Sequence, residues 1–142
     1  MKLSDCVIQR LCELGVRHVF LAAGGGAMRF NDSIGQASRL RFVCTHHEQA
    51  AAIAAEGYAR LSGCPSVLNV TPGPEGINVL NGVIGAWTDW IPTLVLSGQA
   101  KRETLMAAYR IPGLRQLGDQ EAEIIGMVKG ITKYAALVDD PA

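Results

Sequence analysis

The sequence has no excess of either charge, no long hydrophobic run and few cysteines. Its 142 residues carry 13 Lys and Arg against 13 Asp and Glu, so nothing favours nucleic acid or an acidic membrane as a partner. No apolar run reaches the roughly 18 residues expected of a membrane span. There is no secretory signal and no C-x-x-C pair among the four cysteines, Cys6, Cys12, Cys44 and Cys64, which together predict a reduced, cytoplasmic protein.

Several motifs of nucleotide binding, metal binding and hydrolysis are also missing. Gly24-Gly25-Gly26 suggests a G-x-G-x-x-G loop, but Arg29 stands where the third glycine is needed, and a plain strand-to-helix turn explains the glycines equally well. There is no Walker A lysine motif. His46-His47-Glu48 has no second cluster at ligand spacing, so we expect no metal ligands in this chain. Ser66 and Ser97 lack the context of a nucleophile elbow, which disfavours a hydrolase triad.

Apolar residues make up 49% of the chain and alternate between strand-like and helix-like segments. Strands are predicted at 16–22, 40–44, 66–70, 93–97 and 133–138, and helices at 4–14, 27–35, 48–61, 77–87 and 119–125. The strand at 40–44 is expected to be buried. This alternation predicts an α/β fold of three α/β/α layers, with a mainly parallel sheet of five or six strands, in a single domain spanning 1–142.

Glu48 is the first residue of the alanine-rich helix predicted at 48–61, just beyond a predicted strand. A carboxylate in a first helical turn favours the positive end of the helix dipole, which is a common structural role. Ligands of open α/β sheets bind beyond the carboxyl ends of the strands, where we expect three turns to converge, 22–26, 45–48 and 71–76. That convergence makes Glu48 a candidate ligand-facing carboxylate.

A set of short motifs follows one order along the chain: His47-Glu48-Gln49-Ala50-Ala51, Glu56-Gly57-Tyr58-Ala59-Arg60, Gly73-Pro74 with Asn78, Asp89-Trp90-Ile91-Pro92 and Ser97-Gly98-Gln99. Together they resemble the N-terminal pyrimidine-binding domain of thiamine-diphosphate-dependent enzymes of the acetolactate synthase type. The segment from Gly113 to Glu121 extends the resemblance, which covers almost the whole chain.

The resemblance implies thiamine diphosphate as the cofactor and a carbon–carbon lyase or transferase acting on a 2-keto acid, by decarboxylation or acyloin-type condensation. It implies that Glu48 hydrogen-bonds the aminopyrimidine ring and activates the cofactor. By the same resemblance, the ring would be lined by Ala23, Gly24, Thr71 and Asn78. Gln99 and Gln120 are weaker candidates for the substrate side.

The resemblance also implies that half of the cofactor site lies elsewhere. In this family a second domain holds the diphosphate through a metal ion and a G-D-G motif, whereas this chain has only Gly118-Asp119-Gln120. Mg²⁺ is therefore expected only with that missing domain, and the chain alone is expected to be inactive. The chain is expected to be either a truncation or a subunit that another chain completes.

Four positions depart from the family pattern: Leu21, Ala23, Glu75 and Ile77. Glu75 adds bulk and charge near the expected ring. Asp119 stands where acetolactate synthases carry a Phe, which disfavours acetolactate formation as the reaction. Glu75 and Ile77 favour an alternative, a non-catalytic relative that serves assembly or regulation, whereas the presence of Glu48 favours the enzyme.

The predicted helices 48–61 and 77–87 carry little charge, and a helix that is apolar around its circumference is normally buried on more than one side. Their small residues would allow close helix approach. We therefore expect a homodimer or larger oligomer built from these two helices, with Ala51 and Ala55 in the contact, and no nucleic acid or membrane partner.

Overall fold

The structure, a computed structural model, describes residues 1–109 and 111–138. The helices of these residues are α1 (Leu3–Glu13), α2 (Met28–Gln36), α3 (Glu48–Ser62), α4 (Pro74–Asn78), α5 (Leu80–Thr88), α6 (Met106–Tyr109) and α7 (Ile124–Val128). The strands are β1 (His18–Leu21), β2 (Arg41–Cys44), β3 (Ser66–Val70) and β4 (Thr93–Ser97). Short 3₁₀ turns occupy Gly25–Ala27 and Arg102–Thr104.

The four strands form one parallel sheet in the order β2-β1-β3-β4. The register pairs Val19 of β1 with Phe42 of β2 and with Val67 of β3. All five residues of the inner strand β3 are buried, as expected for a parallel strand that is covered on both faces.

Helices cover both faces of the sheet, each over its own apolar core. On one face, Ile8 of α1 and Ile34 of α2 pack with Val19 of β1. On the other face, the Ala51 side of α3 and Val83 of α5 pack with a separate set of strand residues, Phe20, Leu68 and Val70. The α/β/α layers and the parallel sheet predicted from the sequence are therefore confirmed.

The described residues form four strands, not the five or six expected. Segment 133–138 belongs to no strand, and its side chains are largely exposed, Tyr134 at 84% and Val138 at 69%. Apolar residues favour a strand, but a strand forms only where a neighbour accepts its backbone hydrogen bonds. The helix predicted at 119–125 is also wrong, because Gln120 has a φ of 50° and α7 begins only at Ile124.

The strand at 40–44 is not buried as predicted, since every residue of β2 is exposed. It lies at the edge of the sheet, and α3 packs against β1, β3 and β4 instead.

The helix predicted at 77–87 is interrupted at Val79, between α4 and α5. In the described part of the chain, no helix has the length and apolarity needed to cross a membrane.

The small residues of α3 and α5 bring these two helices together within the domain. A Cβ added at Gly82 would lie 2.9 Å from the carbonyl carbon of Ala52. Ala51 and Ala55 are both 0% exposed in the domain's own core. The sequence predicted that both residues lie in a contact between subunits. That prediction is wrong for these two residues, because the packing of α3 on α5 and on the sheet already covers them.

Candidate functional site

Three turns that follow strands meet at the carboxyl edge of the sheet. We call residues 22–26 the glycine turn, residues 45–47 the histidine turn and residues 71–76 the proline turn. The Thr45 N–H donates to the carbonyl of Leu21 at 2.9 Å, which ties the histidine turn to the end of β1. Because the strands are parallel, this edge collects the turns that the sequence predicted to converge.

The histidine turn places Glu48 at the start of α3. The Thr45 hydroxyl donates to the carbonyl of His47 at 2.8 Å. The Gln49 N–H then donates to the Nδ1 ring atom of His47 at 3.1 Å, which caps the helix. The cap fixes the chain on entry to α3, so Glu48 lies at the carboxyl edge of the sheet, as predicted.

The Glu48 carboxylate is half-buried and is held by one side chain. Asn78, at the end of α4, donates through Nδ2 to Glu48 Oε2 at 2.8 Å. No other hydrogen bond to the carboxylate is formed by the residues that the structure describes, so Oε1 has no hydrogen-bond partner among them. The arrangement presents one oriented oxygen, able to accept a hydrogen bond or to hold a proton.

The glycine turn and the proline turn are in direct contact. A Cβ added at Gly24 would lie 2.5 Å from Thr71 Cγ2 and 3.0 Å from Glu75 Oε1. The Thr71 N–H donates to Glu75 Oε2 at 3.0 Å. Gly24 and Thr71 are therefore brought together as the resemblance implied, with the Glu75 carboxylate beside both.

Two asparagines, Asn69 and Asn31, hold the glycine turn through a chain of hydrogen bonds, and the sequence analysis did not identify either of them. Asn69, 0% exposed in β3, donates through Nδ2 to Asn31 Oδ1 at 2.7 Å. Asn31 in turn donates to the Gly24 carbonyl at 3.4 Å. Asn69 Oδ1 is buried and has no partner among the described residues. The available signal was a single amide inside the apolar strand 66–70, because a buried polar side chain needs a partner.

The other predicted residues lie around the same edge without joining these contacts. Ala23 is exposed in the glycine turn. The Gln99 side chain accepts the Ala100 N–H at 2.8 Å, and therefore folds onto its own backbone. The Gln120 backbone covers the proline turn, since a Cβ added at Gly73 would lie 3.0 Å from its carbonyl carbon. Within the described ranges, no hydrogen bond joins either glutamine side chain to Glu48 or Asn78.

The described residues contain no group of three or more His, Cys, Asp or Glu side chains placed to hold a metal ion. The polar groups at the site are therefore two carboxylates, those of Glu48 and Glu75, together with amide side chains and backbone groups. Such groups can hydrogen-bond both a ring nitrogen and an amino group, which is the chemistry that a nitrogen heterocycle requires of its site.

Residues 1–123 match the family described as "Thiamine pyrophosphate enzyme, N-terminal TPP binding domain". Acetolactate synthase 3, chloroplastic, of Brassica napus is 34% identical in an alignment 140 residues long, which covers 96% of this chain and 20% of that protein. The Arabidopsis thaliana chloroplastic acetolactate synthase is 34% identical over 96% of this chain and 19% of its own length.

A bacterial relative, the acetolactate synthase large subunit of Lactococcus lactis subsp. lactis (strain IL1403), is 36% identical over 134 residues, 92% of this chain and 21% of that protein. The chain thus spans about a fifth of the length of these curated relatives. The match of residues 1–123 includes Glu48, Asn78 and all three turns. The chain therefore belongs to the thiamine pyrophosphate enzyme family and corresponds to its N-terminal TPP binding domain.

Proposed function

We propose that this chain binds the aminopyrimidine ring of thiamine diphosphate at the carboxyl edge of its sheet. The observation that carries the proposal is the Glu48 carboxylate, with Oε2 held by Asn78 and Oε1 open to a ligand. The donor set fits the ring, since a carboxyl group can bond a ring nitrogen in either protonation state. The backbone of the glycine turn and Thr71 would pack against the ring, with Ala23 at the exposed side.

When bound, the cofactor supplies the electron sink for making or breaking a bond next to a carbonyl carbon. The chain contributes position and proton transfer. Asn78 orients the carboxylate by donating to Oε2, and Glu48 holds or shares a proton with the ring nitrogen through Oε1. Because the carboxylate is half-buried at a fixed helix start, it loses little freedom when the ring arrives.

The complete activity proposed is a carbon–carbon lyase or transferase acting on a 2-keto acid. The diphosphate and its Mg²⁺ would be held by a second domain, which the motifs of this chain do not supply. We therefore expect no turnover of pyruvate by the 142-residue chain alone. Gln99 and Gln120 lie at the same edge and are proposed for the substrate side.

We further propose a homo-oligomer. Its contact would be formed by the outer faces of α3 and α5 and not by Ala51 and Ala55, which face the core of the domain. Ile53 of α3 is 53% exposed and Ile84 of α5 is 42% exposed. Trp87 of α5 stacks on Trp90, which follows that helix, at a centroid distance of 6.4 Å, with Trp90 81% exposed. An apolar surface of this kind normally marks an interface, and a stable one buries more than about 1,000 Å².

We also propose a reducing, cytoplasmic setting, supported by the four free cysteines, although the plant relatives are named chloroplastic.

The second candidate function is a non-catalytic module for assembly or regulation. One observation favours it, because the Glu75 carboxylate already occupies the Thr71 N–H beside Gly24.

The decisive experiment is a titration of the isotope-labelled chain with thiamine, which has the ring but no diphosphate. We expect chemical-shift changes at the backbone amides of Gly24, Glu48 and Thr71. Glu48→Gln should weaken binding, because it removes a carboxyl group that can hold or share the ring proton. The matched control is Glu56→Gln, farther along α3, where the carboxylate pairs with Arg60 instead. The proposal would be overturned if the two substitutions had equal effects on thiamine binding. It would also be overturned if thiamine changed the chemical shifts of amides in other parts of the chain and left those of Gly24, Glu48 and Thr71 unchanged.

A further inference from the structure

Glu75 lies between the two turns that would enclose the ring. Its Oε2 accepts the Thr71 N–H at 3.0 Å, and its Oε1 lies 3.0 Å from the position of a Cβ on Gly24. The same side chain therefore spans from the proline turn to the glycine turn. It covers a backbone donor and fills the space that the absence of a side chain at Gly24 leaves open.

The backbone on both sides of Glu75 is held in place. The Gly24 carbonyl accepts from Asn31, which is fixed by the buried Asn69. Farther along the glycine turn, a Cβ added at Gly26 would lie 3.0 Å from Pro72 Cγ, so the two turns already touch there. Neither turn can move away without breaking these contacts.

The Glu75 side chain is the part that can move. It is half-buried, and its one hydrogen bond among the described residues is the bond to Thr71. Rotation about its side-chain bonds would carry the carboxylate away from Thr71 and Gly24 into water. Since Glu75 is the second residue of α4, the short helix that ends at Asn78, this rotation need not disturb the Asn78–Glu48 contact.

We propose that Glu75 sets the affinity of this site by occupying it: the carboxylate covers Gly24 and the Thr71 N–H, where the pyrimidine ring would pack, and the ring binds there only by displacing it. This inference rests on the proposed function. The competing structural role is a helix-start contact, in which Glu75 stabilises α4 and leaves the ring's place free.

Removal of the carboxylate distinguishes the two roles. Glu75→Ala keeps a good helix former and removes the group that must be displaced. We expect thiamine to bind the variant about tenfold more tightly, which corresponds to about 1.4 kcal/mol, because the ring no longer breaks a charge-assisted hydrogen bond. Glu75→Gln keeps the size of the side chain and should recover only part of the gain.

The measurements are amide hydrogen exchange at Thr71 and thiamine titration of the full chain, followed by nuclear magnetic resonance. The control is Asp5→Ala, since Asp5 also accepts a backbone N–H, that of Lys2 at 3.0 Å, near the start of α1. The control should leave thiamine affinity and Thr71 exchange unchanged. In Glu75→Ala we expect faster Thr71 exchange together with the tighter binding.

Three results would overturn the inference in different ways. Unchanged Thr71 exchange in Glu75→Ala shows that the carboxylate does not cover the Thr71 N–H. Faster exchange with unchanged or weaker thiamine binding shows that Glu75 is a helix-start contact only. Faster exchange with no thiamine binding to any variant, wild type included, refutes the pyrimidine site and the competition for it together.

Discussion

Gly82 of α5 controls how closely α5 approaches α3, the helix that begins at Glu48, and Gly82→Ala tests that arrangement. The added Cβ would lie 2.9 Å from the carbonyl carbon of Ala52 and would also overlap the Ala52 side chain. Carbon atoms in contact are normally 3.5–4.0 Å apart. The atoms that obstruct the new Cβ belong to the α3 backbone and its methyl group, so no rotamer change can relieve the overlap.

The cost follows from two opposing contributions. Overpacking a core position typically costs about 1–3 kcal/mol, and backbone atoms that cannot move aside place this site at the upper end. Alanine in place of glycine returns about 1 kcal/mol through helix propensity. We therefore expect a net loss of about 2 kcal/mol in the free energy of unfolding. For a chain of this size that is a fall in Tm of about 4–8 °C.

Thermal and urea unfolding measure the effect, with Gly35→Ala as the matched control. Gly35 lies in α2, and a Cβ added there would meet nothing within 4 Å. The control should gain about 1 kcal/mol from helix propensity alone. If Gly82→Ala were as stable as Gly35→Ala, α3 and α5 would not pack as described. A lost Asn78–Glu48 contact in the variant would show that this packing also positions the site.

Three further outcomes are expected. Ile53→Glu with Ile84→Glu should give a monomer in sedimentation experiments at micromolar concentration with the fold retained; an unchanged oligomer would exclude these faces as the interface. Asn31→Ala should cost about 1–3 kcal/mol in urea unfolding, because a buried amide loses its partner, and a neutral effect would contradict that role. Hydrogen bonds from the Ser33 hydroxyl and, to a smaller extent, from the Lys2 N–H hold the pKa of Asp5 below its ordinary 3.8. The stability that ionised Asp5 contributes is therefore complete above pH 3.8 and is lost as the pH falls through the lowered pKa. Ser33→Ala should therefore reduce the acid dependence of stability, and an unchanged pH profile would rule out that contact as its cause.

The site was predictable where the signal was local. Glu48 follows a strand and begins a helix, and both facts depend on apolar spacing within a few residues. The bond between Glu48 and Asn78 joins residues 30 positions apart, and the resemblance to a family, which implied that both residues meet the ring, did not predict it. Asn31 and Asn69 remained unnoticed, because neither belongs to a motif and their role depends on a contact across 38 positions.

Some predictions failed because exposure depends on neighbours in space. The apolar strand β2 was expected to be buried, yet it lies at the sheet edge, where no helix of the described part covers it. Ala51 and Ala55 were assigned to a subunit contact on composition, although the register of α3 turns them into the domain core. Composition shows that a helix is apolar on several sides, but its rotation on the sheet determines which side remains free.

The sequence by itself determined the order of strands and helices, the parallel layered architecture and the place of Glu48 at the carboxyl edge. These features follow from hydrophobic period and chain direction, which are local properties of the chain. Only the tertiary structure decided that segment 133–138 stays outside the sheet, that Glu75 points between the two turns and that Asn31 and Asn69 support Gly24. Those outcomes depend on which distant backbone groups and side chains meet, because hydrogen bonds and packing act over a few ångströms in space whatever the separation along the chain.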